Sequence, residues 1–240
     1  MPPEAVNPKR TYNSTRRQQQ AAATRREILD AARRLFVEQG YAATTMGQIA
    51  TEAGVALKTV YLAFETKNGL LQKLWNVTLR GDDGEVPVAE QAWFQEMLAE
   101  PDPEQQLRRN ARNSRLGKER VASVGEVIRS GAHADPEIAA LWARIQEQYR
   151  ENQRAVAQSL ADKQALALDV ERAADILWTI NHPNTWHLLV GERGWTPEEY
   201  EQWAADTACA QLLAPASART SARASRGSSR TRRGSTEGSP

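Results

Sequence analysis

The 240-residue chain predicts an all-α fold, and three observations carry that reading. Helix formers dominate throughout, and no segment alternates apolar and polar residues with the two-residue period of a strand. Apolar residues recur instead at three- and four-residue spacings, between breaks made by glycine, proline or aspartate.

The first helix is expected over residues 25–39, with Ile28, Leu29, Ala32, Leu35 and Phe36 on one side and Gly40 at its stop. A second follows Thr45, whose hydroxyl can cap the first free amides while Gln48 reaches back to the cap amide. Met46, Ile49, Ala50 and Ala53 form its apolar stripe, and Gly54 ends it in a left-handed conformation. A third runs over residues 56–64. Leu57, Val60 and Phe64 share one face of it; Lys58, Thr59 and Tyr61 lie on the other.

Glu65-Thr66-Lys67-Asn68-Gly69 opens a fourth helix carrying Leu70, Leu71 and Leu74. Lys67 stands at its start, where a cation opposes the helix dipole. A nearby phosphate would account for it. Further helices are expected over 88–99, 103–130, 136–162, 170–191 and 197–214. Asp135-Pro136 and Thr196-Pro197 each place proline in a first turn after a capping residue, while Asn181-His182-Pro183 interrupts the helix over 170–191.

Two short helices crossing through a glycine turn describe a helix-turn-helix, whose second helix lies in the major groove of DNA. Charge follows the same division. Residues 1–80 hold 12 Lys and Arg against 6 Asp and Glu, residues 81–214 hold 13 against 23, and residues 215–240 hold 6 against 1. A basic head on an acidic body suits a module that binds a polyanion at one end. Residues 1–23 read as a disordered basic arm, and residues 215–240 as a disordered Arg/Ser-rich tail that either adds salt-sensitive affinity for nucleic acid or keeps the chain soluble.

The string G-Y-x-x-T-T-x-x-x-I-A-x-x-A-G-V, followed by T-V-Y-x-x-F-x-x-K-x-x-L-L, resembles the N-terminal domain of TetR-family transcriptional regulators, from Ile28 to Leu74. The resemblance implies a DNA-binding domain over 24–80 and a helical effector-binding and dimerisation domain over 81–214. It implies phosphate contacts from Thr44 and Thr45, base-reading positions at Leu57, Lys58 and Thr59, and further phosphate contacts from Tyr61 and Lys67. Ala56 and Ala63 depart from the family pattern, each removing a potential phosphate hydrogen bond. Tyr61 has the alternative of simply covering the helix pair.

In such proteins the last two helices pair with their symmetry mates, so the resemblance implies a homodimer on a palindromic operator in double-stranded DNA. The Trp- and Leu-rich segments after residue 176 fit that role or fit monomer packing. Trp75, Trp93, Phe94, Trp142, Trp178, His182 and Trp186 are candidates to line a pocket for a hydrophobic small-molecule effector; each has a place in an ordinary core as its alternative. Arg108, Arg109, Arg112 and Arg115 form a stripe that meets either an acidic ligand or the domain's own carboxylates.

His133, His182 and His187 lack metal-ligand spacing, and no nucleophile elbow or phosphate loop occurs, so no enzyme, cofactor or metal is expected. Cys209 is the single cysteine, which excludes an intrachain disulfide. With no 18-residue apolar run and no leader pattern, the expectation is a soluble, cytoplasmic protein without membrane contact. The function expected is a transcriptional regulator, a repressor released by its effector. The alternatives are a regulator that activates or has no effector, and a helical protein-interaction module.

Overall fold

The computed structural model describes residues 8–81 and 86–215, and these are helical throughout. No strand forms among them; an isolated bridge joins Leu166 and Leu213. The helices are α1 (Pro8–Ala43), α2 (Met46–Glu52), α3 (Leu57–Phe64), α4 (Lys67–Arg80), α5 (Ala92–Ala99), α6 (Pro103–Gly131), α7 (Pro136–Asp162), α8 (Val170–Ile180), α9 (Pro183–Trp186) and α10 (Pro197–Leu212). A 3-10 turn (Val88–Glu90) precedes α5, and a π-helical stretch (His187–Glu192) follows α9.

Two compact units divide these elements. One holds α1–α4 with Val121–Ala143; the other holds the described residues of 85–120 and 144–215. The expected division at 80/81 therefore omits a piece of the first unit. Its reason is packing: a Cβ on Gly131 would lie 3.3 Å from Ile138 and 3.7 Å from Tyr41, and one on Gly125 would lie 3.4 Å from the Trp75 ring.

In the first unit, α1 starts well before residue 25, so the expected disordered arm is helical over residues 8–23. Low hydrophobicity argues against a packed core, but Gln18-Gln19-Gln20 and Ala21-Ala22-Ala23 are good helix formers and no breaker intervenes before Gly40. Residues 1–7 and 216–240, the rest of the arm and nearly all of the tail, lie outside the described residues. Gly40 has φ 81° and ψ 166°, a region essentially closed to other residues, and there α1 breaks. Ile28, Leu29, Ala32, Phe36, Ile49, Val60, Leu70 and Leu71 form the core beneath the short helices.

The caps are as the sequence suggests. Thr45 Oγ1 accepts from the Gln48 amide at 3.2 Å, and Gln48 Oε1 accepts from the Thr45 amide at 2.8 Å. At the other end of α2, Gly54 (φ 67°) and Val55 donate to the carbonyls of Thr51 and Ala50, the paired bonds of a Schellman motif. The junction from α3 to α4 is tighter. Glu65 takes φ 60° and ψ −53°, and the Thr66 amide bonds the Phe64 carbonyl at 2.6 Å, which makes a γ-turn of the rare, strained hand. Thr66 then caps α4 by accepting from the Gly69 amide at 2.9 Å.

In the second unit α8 packs on α10, and Phe94, Met97, Leu107, Val156, Leu160 and Leu177 are among the buried residues of the core. The helix expected over 170–191 is three segments. Asn181 caps the end of α8, and His182 caps α9 by accepting from the Asn184 amide on Nδ1 at 3.0 Å. Proline does not merely bend this helix; it starts a new one.

A Cβ at position 69 would sit 2.7 Å from the Phe64 carbonyl oxygen. Gly69→Ala is therefore expected to destabilise the protein by about 1–3 kcal/mol through forced displacement of the α3–α4 junction. Thermal unfolding followed by circular dichroism checks this, and an unchanged midpoint would refute the close approach.

Candidate nucleic-acid interface

α3 is a rod of eight residues, about 12 Å long at 1.5 Å per residue. Val60 and Phe64 anchor it in the core. On the opposite side Leu57 and Tyr61 are 45% and 48% exposed, Lys58 is exposed and Thr59 half-buried. Periodicity places Leu57 on the inward face, and the structure turns it out. It is the first residue of the helix, and the buried layer begins one turn later, at Val60. Ala56 precedes it without a side-chain cap, so the first amides of α3 have no side-chain acceptor.

Thr45 is exposed at the start of α2, its hydroxyl engaged with Gln48. Thr44, expected beside it as a phosphate contact, is fully buried: its hydroxyl donates to the Gly40 carbonyl at 2.8 Å and accepts from Gln39 at 3.3 Å. Thr44 turns inward to meet that carbonyl beside the break at Gly40. The side chain is thereby withdrawn from the surface.

Lys67 is half-buried. Its Nζ donates to the carbonyls of Tyr41 at 2.8 Å and Thr44 at 2.9 Å and stands 4.1 Å from the centroid of the Tyr41 ring. The cation at this helix start thus has acceptors inside the protein, and one ammonium proton remains for a phosphate. Burial pulls the Lys67 pKa down, with Asp135 opposing that shift. The Tyr41 phenol is pushed up to about 12 by burial, then by the charges of Asp135 and Glu137. Tyr41 completes this knot, and nothing but its place after Gly40 marks it in the sequence.

Residues 28–74 match the model of the bacterial regulatory proteins of the tetR family. The similarity to that family is carried by this segment, which spans α2, α3 and parts of α1 and α4. The HTH-type transcriptional regulator AcrR of Shigella flexneri is 40% identical over 76 residues, covering 32% of this chain and 35% of that protein. The chain thus aligns with about a third of the length of this curated relative. Among solved structures, the SmeT–triclosan complex superposes with TM-score 0.64 at 21% identity over 81% of this chain and 93% of that one. NalD, the secondary repressor of the MexAB-OprM multidrug efflux pump in Pseudomonas aeruginosa, does so with TM-score 0.63 at 20% identity over 81% and 98%. At such identities these two show the fold alone.

Outside the TetR-type domain the expected pocket residues separate. Trp75 and Trp142 belong to the first unit, and Trp93, Phe94, Trp178, His182 and Trp186 to the second. Phe94 is core and Trp93 is largely exposed. Trp178 meets His182 edge-on at 4.5 Å between ring centroids, and Trp186 meets Tyr200 at 5.0 Å. A surface groove of about 790 Å³ lined by Leu98, Arg150 and Arg154, among others, touches none of the seven. Of the arginine stripe, Arg108 pairs with Glu104 and Asp206, Arg109 with Glu100, and Arg115 with Glu119 and Glu201. The domain's own carboxylates take up these three, and no carboxylate among the described residues pairs with Arg112.

Lys67→Met is expected to lower stability by about 1–3 kcal/mol without any DNA present, because two carbonyls lose a charged donor. Lys58→Ala is expected to stay within about 0.5 kcal/mol of the parent. Denaturant titration of both variants separates the fold-holding lysine from the presented one.

Proposed function

We propose that this chain is a sequence-specific DNA-binding transcriptional regulator, acting as a homodimer on a palindromic operator and released from it by a small-molecule effector. The observation that carries the DNA-binding part is the two-sided character of α3. Leu57, Lys58 and Tyr61 face out over buried Val60 and Phe64, on a helix held by a TetR-type domain. Lys58 has donors for guanine O6 and N7, Leu57 has an apolar surface for a thymine methyl, and Thr59 has a hydroxyl suited to either base or phosphate. Thr45, Tyr61 and the remaining proton of Lys67 are the phosphate-positioning groups. Thr44 acts behind them, holding the chain between α1 and α2.

Dimerisation follows from reach. One helix of about 12 Å reads only a few base pairs, and two-fold pairing presents two such helices to half-sites about 34–36 Å apart. α8 and α10 are the proposed pairing helices; their inner residues Leu177, Ala204 and Leu212 are committed to the monomer core, whereas Ile176 and Trp203, with Leu188 on the π-helical stretch between them, retain exposed surface. A repressor role and effector release are supported by the likeness to NalD, a repressor, and to SmeT in its complex with triclosan. An effector releases DNA only by binding the non-operator state better. No helix among the described residues is long and apolar enough to cross a membrane.

Selection of bound duplexes from random DNA, followed by anisotropy titrations in increasing salt, tests this reading. Enrichment of an inverted repeat and a linear fall of log affinity with log salt are expected. Lys58→Ala is expected to cost about 1–3 kcal/mol on the selected site and to relax its base preference at one position per half-site. Absence of any duplex affinity in 50 mM salt would favour a protein-interaction role for the exposed Leu57, Tyr61 and Leu62.

A further inference from the structure

Lys118, on α6 in the second unit, is 6% exposed. No carboxylate among the described residues pairs with it, although Arg108, Arg109 and Arg115 on the same helix each reach one. Its Nζ donates to Ser114 Oγ and lies 5.3 Å from the centroid of the Tyr200 ring and 5.8 Å from that of Tyr149. The Tyr149 hydroxyl donates to the Asn181 carbonyl at 2.8 Å, so Ser114, 2.9 Å away, donates to Tyr149 and accepts from Lys118. The Tyr200 hydroxyl donates to the Ile180 carbonyl at 2.8 Å. Both phenols have thus given their protons to the backbone, and burial holds their pKa values up, so neither supplies a negative charge. Two of the three Lys118 protons are without an acceptor.

The same neighbourhood holds other unmet groups. The Trp178 Nε1–H is buried with no acceptor, and its ring meets His182, whose pKa is lowered by burial and then by the charge of Lys118. Asn181, 2% exposed, has an Oδ1 without a donor. Buried charges in folded proteins are normally paired, and a lone ammonium has two remedies, loss of its proton or capture of an anion. Burial draws Lys118 down to about 7, so both remedies are within reach near neutral pH. Trp178, edge-on to His182, and Trp186, edge-on to Tyr200, are half-buried and are the aromatic rings nearest for the rest of a ligand.

We propose that Lys118 is the recognition point for the acidic group of the effector, so that the ligand is a weak organic acid with its carboxylate on the Lys118 Nζ and its apolar body against the neighbouring aromatic rings. This rests on the effector-responsive reading above and narrows it to a class. A neutral ligand of the same shape leaves the lysine unpaired and gains nothing from it.

The test uses the full chain and matched probes, 2-naphthoate against 2-naphthamide and octanoate against octanamide, titrated by calorimetry at pH 8 into the parent protein and Lys118→Met. Each titration is run in two buffers of different ionisation enthalpy. At least one carboxylate is expected to bind the parent about thirtyfold or more tighter than its amide. It is also expected to take up a proton as the amine becomes an ammonium. Lys118→Met is expected to bind both members of a pair alike and to melt no lower than the parent, since a buried unpaired amine has been removed. Proton uptake by the parent needs no variant, so the test survives a Lys118→Met that fails to fold. Equal binding of acid and amide, binding without proton uptake, or no binding by either carboxylate overturns the proposal. Lys118-dependent binding that leaves a selected operator duplex in place would sink the release mechanism and leave the acid site standing.

Discussion

The ammonium of Lys67 is the tie on which the geometry of the first unit depends. Its two carbonyl acceptors, on Tyr41 and Thr44, lie in the segment between the break in α1 and the start of α2. Lys67 itself is the first residue of α4. One side chain therefore fixes the start of α4 against the exit from α1, and the α2–turn–α3 segment is strung between those two points. A charged donor on two neutral acceptors is among the stronger hydrogen-bonding arrangements available to a protein, and the Tyr41 ring adds a cation–π contact at 4.1 Å. The cost is desolvation, visible in the lowered pKa of the lysine.

The same segment carries the strain of the unit. Glu65 sits at positive φ without being glycine, and Gly69 admits the Phe64 carbonyl where any side chain would collide. Strain persists only where the surroundings over-determine it, and here they do: Phe64 is buried, Thr66 caps α4, and Lys67 is anchored at once to the other side of the motif. α3 is thereby held at both ends, by the Schellman turn before it and the γ-turn after it. A helix so short has little stability of its own. Its direction is set by its flanks.

Much of this was legible in the sequence because it is local. The Thr45–Gln48 capping box, the left-handed Gly54, the buried Val60 and Phe64 and the proline starts of α7 and α10 all depend on residues within one or two turns of each other. What escaped the sequence depends on partners far along the chain. Lys67 reads as a cation awaiting a phosphate, and its carbonyl acceptors, 23 and 26 residues away, carry no side-chain signal. Thr44 is indistinguishable in type from Thr45, yet a single break at Gly40 turns one inward and leaves the other at the surface. Composition also misjudged residues 8–23, because a lack of apolar residues excludes a core without excluding a helix.

The acidic second unit has a related logic. Arg108, Arg109, Arg115, Arg150 and Arg154 each face carboxylates, and residues 81–214 hold an excess of acid over base. Such a surface repels polyanions, whereas the surplus of base lies in residues 1–80 and 215–240. Lys118 lies outside this pattern. Where neighbouring arginines on α6 find acids, the one buried lysine finds a hydroxyl and two phenol rings, which cannot neutralise it. An exposed cation without a partner is still solvated by water, whereas an interior one is not, so the unmet electrostatic demand is greatest at Lys118. That point is where a charged ligand has most to gain.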